Sequence, residues 1–117
     1  MRLAGEPLVV VRLGGEIAAF PDLCVHRGTA LSLGWIDAGS APAADGSPAV
    51  GEPCLVCPYH GWTFRLDGSI RSIPQKGGYE GTAFGESAAS QGVVELLNVV
   101  NYRGFVFARL APNGPSF

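Results

Sequence analysis

Histidine and cysteine are scarce in this chain, with two and three respectively among 117 residues. Charge is scarce too: Asp, Glu, Lys and Arg make up 15% and the net charge is −2. No basic field exists to draw in nucleic acid, and no run of like charge marks an interaction tail. No apolar run approaches the ~20 residues of a membrane span. The first residues, Met1-Arg2-Leu3-Ala4-Gly5, lack the apolar core of a secretory signal, so a cytoplasmic protein is expected. An odd cysteine count is no disulfide framework; reduced cysteines in such a chain point to metal binding or catalysis. What is plentiful is apolar, at 47%, which makes the chain globular. Its length predicts one domain, residues 1–117, able to bury roughly two-thirds of its unfolded surface.

A helical stripe with caps is also missing. The periodicity is short instead. Leu8 to Arg12 reads as a strand, Gly14-Gly15 as a hairpin turn, and Ile17 to Phe20 as the return. Leu55-Val56 is a short strand. Trp62 to Arg65 alternates, Asp67-Gly68 turns, and Ile70 to Ile73 returns. Val93 to Val100 and Phe105 to Leu110 form the last pair, joined through Asn101 to Gly104. Short strands with glycine turns predict an all-β sandwich or small barrel. Ala38 to Pro53, built from Ala, Gly, Ser, Pro, Asp, Glu and Val, reads as an inserted surface loop whose Asp45 and Glu52 are solvated. Gly77 to Gln91 reads as a second connection.

Two segments absorb the scarce residues: Cys24-Val-His26 and Cys57-Pro-Tyr-His60. They use both histidines and two of the three cysteines. Matched clusters of this kind point to one shared metal centre formed by Cys24, His26, Cys57 and His60. Zinc accepts two cysteines and two histidines, but its familiar spacings group like with like. A mixed pair in each loop suits a two-iron cluster, each loop giving its thiolate to one iron and its imidazole to the other. The residues prefer iron–sulfur, and a zinc-binding structural module stays open. Cys54 forms a C-x-x-C spacing with Cys57, but reads best as a small buried strand residue.

The clusters in context read Cys24-Val25-His26-Arg27-Gly28, Leu31-Ser32-Leu33-Gly34, Cys57-Pro58-Tyr59-His60-Gly61-Trp62-Thr63-Phe64, Asp67-Gly68 and Ile73-Pro74. This resembles the Rieske [2Fe-2S] domain of bacterial aromatic-ring-hydroxylating oxygenases. Tyr102 to Ala108 and Pro112-Asn113-Gly114-Pro115 resemble their large (α) subunit in particular. The resemblance implies a Rieske-type β-sandwich with a small cluster-binding subdomain, about 22–74 here, formed by two ligand loops. It implies Cys24 and Cys57 on one iron and His26 and His60 on the other. Respiratory-complex Rieske proteins add a disulfide between the ligand loops; with Tyr59 in the second loop that bridge is not expected. They also place a serine where Trp62 stands. Losing that hydroxyl predicts a potential nearer roughly −150 mV than +300 mV.

Such a centre moves one electron, with the ring edges of His26 and His60 as the expected exit and Tyr59 and Trp62 as possible shields. In the family the electron continues to a mononuclear iron held by two histidines and a carboxylate. Both histidines here are committed to the cluster, so this chain by itself cannot build that site. Two readings follow: the electron-entry domain of an oxygenase α subunit, or a stand-alone Rieske ferredoxin working between a reductase and an oxygenase. The expected partners are redox proteins, with neither nucleic acid nor membrane. Arg27, beside His26, either tunes the charge of the centre or forms a surface ion pair.

Overall fold

The computed structural model describes residues 1–13, 15–39, 51–82 and 97–111. Among these, all regular structure is extended apart from two short 3-10 turns, Leu31–Leu33 and Lys76–Tyr79. The strands are β1 (Arg2–Leu3), β2 (Glu6–Leu13), β3 (Glu16–Pro21), β4 (Trp35–Asp37), β5 (Cys54–Val56), β6 (Thr63–Arg65), β7 (Ile70–Ser72), β8 (Asn98–Tyr102) and β9 (Phe105–Arg109). They form antiparallel sheets in the orders β1-β2-β3, β4-β5-β6-β7 and β8-β9.

The β2–β3 hairpin is the centre of the fold. Side chains alternate across a strand, so each strand can serve two cores. Val9 pairs with Phe20 and Val11 with Ala18. These four residues join Cys24, Leu31, Leu55, Cys57, Trp62 and Phe64 in the main core. The opposite face supplies Leu8 and Ala19, which pack with Leu97 and, at the margin, Leu3, Val99 and Leu110. Leu97 also donates its backbone N–H to the Ala19 carbonyl at 2.9 Å, fastening the last hairpin to the first. Burying a large apolar side chain contributes about 1.5–3 kcal/mol. Trp62, Phe20 and Phe64, each about 1% exposed, therefore dominate the main core.

Several boundaries differ from the sequence reading. β1 and β4 carried no readable signal, since two- and three-residue strands are defined by their partners rather than by periodicity. The segment 93–96 and the turn residue Gly14 lie outside the described residues. The last turn is tighter than expected: β8 runs on to Tyr102, and Arg103 and Gly104, at φ 49° and 89°, make the reversal alone. That left-handed pair is the form a two-residue hairpin favours. The expected surface loop 38–53 connects β4 to β5; Asp45 lies outside the described residues. Glu52 is not simply solvated, because it accepts from Arg65 Nε at 2.8 Å. An exposed pair of this kind contributes little.

Gly34, at the entry to β4, lies tight against the neighbouring strand β5. A Cβ at this position would collide with the Val56 carbonyl oxygen. The sequence needs glycine there for space, not for backbone freedom.

Candidate metal centre

The two ligand loops are the same backbone turn used twice. In the first, the Gly28 N–H donates to the Cys24 carbonyl (2.7 Å) and the Cys24 N–H to the Thr29 carbonyl (2.8 Å). In the second, the Gly61 N–H donates to the Cys57 carbonyl (3.1 Å) and the Cys57 N–H to the Trp62 carbonyl (2.8 Å). Each turn closes at a glycine with matching positive φ, 68° at Gly28 and 70° at Gly61. That region is cheap for glycine and costs other residues roughly 1–2 kcal/mol. The turns therefore align as Cys24-Val25-His26-Arg27-Gly28-Thr29 against Cys57-Pro58-Tyr59-His60-Gly61-Trp62. The histidine stands one place later in the second.

Different elements hold the two turns. The second caps the β5–β6 hairpin, so its ends are fixed by strand pairing from Val56 to Thr63. The first lies between β3 and the Leu31–Leu33 turn and has no such ladder. Asp22 replaces it. This buried carboxylate accepts from the Ser32 backbone N–H at 2.7 Å and from the Ser32 hydroxyl at 2.6 Å, drawing the ends of the loop together. The sequence reading passed over Asp22. A carboxylate just before a Cys-x-His segment, with a serine after it, is the only signal that pointed to the clamp.

The structure brings the four candidate donors together as two pairs. Both thiols are buried in the same core, and each is near enough to the other for Cys57 to disfavour the Cys24 thiolate. Burial, reinforced by the neighbouring Cys57 thiol, pushes the Cys24 thiol up to about 11, against partial relief from backbone N–H groups of its own turn. Metal binding here must therefore expel a proton. The His26 and His60 rings meet edge to face with centroids 4.6 Å apart. Burial, then the charges of His60 and Arg27, hold His26 below the ordinary histidine range. Among the described residues no three His, Cys, Asp or Glu side chains converge on a single metal-ion position. Sulfur pairs with sulfur and nitrogen with nitrogen, which suits two metals with two protein ligands each better than one tetrahedral ion.

The aromatic surroundings divide the two histidines. His26 is half-buried and stacks flat on Trp62, with centroids 4.7 Å apart and an angle of 3°. His60 is exposed and lies against the exposed Tyr59 ring, centroids 3.8 Å apart. Of the two expected shields, then, Trp62 is a buried floor beneath the His26 ring and Tyr59 is an exposed neighbour of His60. Cys54 is fully buried in β5 and accepts from Arg71 at 3.1 Å. Neighbouring strand residues face opposite sides, so Cys54 belongs to the sheet, as expected.

An all-β scaffold presenting two Cys/His turns, with thiols paired and imidazoles paired, defines a Rieske-type iron–sulfur domain. The match of residues 1–95 to the Rieske [2Fe-2S] domain establishes that this chain belongs to that family, whose cofactor is a Rieske-type [2Fe-2S] cluster. The paired donor set fits that cluster. The relatives include large oxygenase components. The chain is 31% identical over 113 residues to the large oxygenase component of the naphthalene 1,2-dioxygenase system of Pseudomonas fluorescens, covering 95% of this chain and 21% of that protein. It is 32% identical over 113 residues to the carnitine monooxygenase oxygenase subunit of Acinetobacter pittii, covering 96% and 26%. Among solved structures, Pseudomonas putida CBB5 NdmB superposes with a TM-score of 0.64 at 28% identity, over 92% of this chain and 27% of that one. The chain thus spans about a fifth to a quarter of the length of the relatives it matches. Among the described residues no helix is long and apolar enough to cross a membrane.

Proposed function

We propose that Cys24 and Cys57 hold one iron and His26 and His60 the other, and that the domain is the electron-entry module of a ring-hydroxylating oxygenase α subunit. The pairing of thiol with thiol and imidazole with imidazole on two matched turns carries this reading. The bound cluster supplies one-electron transfer. The chain's own residues then do the rest. The buried cysteines keep one side of the centre dry against Leu31, Leu55 and Trp62. The exposed edge of His60 is where a partner reaches the centre most closely, with the exposed Tyr59 ring beside it.

The domain organisation follows as a single domain, 1–117, with a cluster-binding part at about 22–74. Partners are a reductase or ferredoxin on the donor side and the oxygenase catalytic domain on the acceptor side, in the cytoplasm. The outer face of the last hairpin supports a larger assembly: Tyr102, Phe105 and Phe107 are exposed there, the kind of apolar patch that marks an interaction surface. A ferredoxin role is the second reading. Similarity to oxygenase components favours the first.

Anaerobically purified protein is expected to contain about two iron and two acid-labile sulfide per chain and to give a rhombic EPR signal on reduction. Zinc without sulfide overturns the assignment. A parent reading frame continuing through two more histidines and a carboxylate identifies the oxygenase module; its absence identifies the ferredoxin.

A further inference from the structure

Tyr79 lies in the glycine-rich connection after β7, fifty-three residues from His26, yet its hydroxyl is 3.2 Å from His26 Nε2. Its position is built. Gln75 adopts a left-handed conformation, φ 55°, and starts the Lys76–Tyr79 turn. The Gly78 N–H donates to the Gln75 carbonyl at 2.8 Å, and Thr82 grips the Tyr79 carbonyl through both its hydroxyl (2.7 Å) and its N–H (3.2 Å). The half-buried ring stands edge-on to both His26 and Trp62, with centroids 6.0 and 6.1 Å away. Trp62 thus supports the face of His26 while Tyr79 holds its outer nitrogen.

We infer that Tyr79 is a positioning residue that orients His26 and tunes the centre through Nε2, resting on the ligand assignment proposed above. Nε2 faces Tyr79, so on that ligand assignment iron would be held through Nδ1. An imidazole bound to metal through one nitrogen carries its proton on the other, so Nε2–H donates and the phenol oxygen accepts. Accepting that proton makes the imidazole a stronger donor to the metal, which favours the oxidised state. Among the described residues no tyrosine hydroxyl holds a His60 nitrogen in this way: its neighbour Tyr59 meets it ring against ring. The tuning therefore acts on one histidine of the pair.

Tyr79→Phe keeps the ring and removes only the hydroxyl. Iron and sulfide content should match the parent, and the midpoint potential at fixed neutral pH should rise. A hydrogen bond of ordinary net strength changes the oxidised-to-reduced ratio by about threefold to tenfold, at most about 59 mV for one electron. Pulsed EPR of the reduced protein should show a changed coupling for one remote ring nitrogen and an unchanged one for the other. A loaded variant with an unchanged or lower potential overturns the inference. If Tyr79→Phe does not hold the cluster, a monofluorinated tyrosine placed at position 79 decides: it is a poorer acceptor of the same shape, and the potential must still rise. A parent protein without iron and sulfide sinks the ligand assignment itself, a separate failure visible before any variant is made.

Discussion

The two ligand loops have one backbone and two environments. Both are six-residue turns closed by the same pair of hydrogen bonds and the same left-handed glycine. Cys24 and Cys57 occupy equivalent places and are both buried. The histidines do not. His26 stands where the second loop has Tyr59, and His60 stands where the first has Arg27. A one-residue step along a tight turn swings a side chain to a different side. That step leaves His26 against Trp62 and Tyr79, and His60 at the surface. One turn, used twice with a slipped histidine, yields an inner and an outer imidazole.

The largest test of this comparison removes the equivalent residues. Cys24→Ala and Cys57→Ala are each expected to abolish bound iron and sulfide, measured on anaerobically purified protein. The non-equivalent residues should separate. His60→Cys, at an open rim, should assemble a cluster whose spectrum moves toward the all-cysteine type. His26→Cys, confined between Trp62 and Tyr79, should assemble markedly less. Equal yields would show that the surroundings of the two histidines do not matter.

The next effect belongs to the first loop alone. Asp22→Ala removes both bonds of the clamp, and hydrogen bonds to a charged group contribute about 1.5–3 kcal/mol each. Chemical denaturation should register a loss of that order. Hydrogen exchange should speed up over residues 23–31 and leave 57–62 protected. Uniform loosening of both loops would refute a clamp confined to one.

Smaller still are the glycines. Gly28→Ala and Gly61→Ala each place a side chain in the left-handed region, costing roughly 1–2 kcal/mol. Gly61 should cost more, because its Cβ would press on Pro74 Cγ at 3.3 Å whereas that of Gly28 meets nothing. The order of the two unfolding midpoints checks this. Cys54→Ser should be smaller again, with iron content intact and stability changed by about 1 kcal/mol. Loss of the cluster on this substitution would mean that Cys54, not Cys57, is the ligand.

Much of the candidate site stands out in the sequence. The scarcity of histidine made Cys24, His26, Cys57 and His60 stand out, because chance seldom places every histidine beside a cysteine. The hairpins at Gly14-Gly15 and Asp67-Gly68 were legible because turn chemistry and two-residue periodicity are local. What was not legible is what depends on distant partners. β4 is a strand because Trp35 and Asp37 meet Val56 and Cys54. Asp22 is a clamp because Ser32 returns to it. Tyr79 is one of two aromatics, with Phe84, in the connection Gly77 to Gln91, and nothing local marks it.

Residue type and count carry the chemistry proposed for the centre: which atoms are offered to metal, how they are shared between two loops, and that two histidines cannot also furnish a mononuclear iron site. Folding alters neither. That the imidazoles are unequal comes from the folded packing alone. Burial, stacking on Trp62 and the Tyr79 contact across fifty-three residues arise from the packing of separate segments, and no local pattern encodes them.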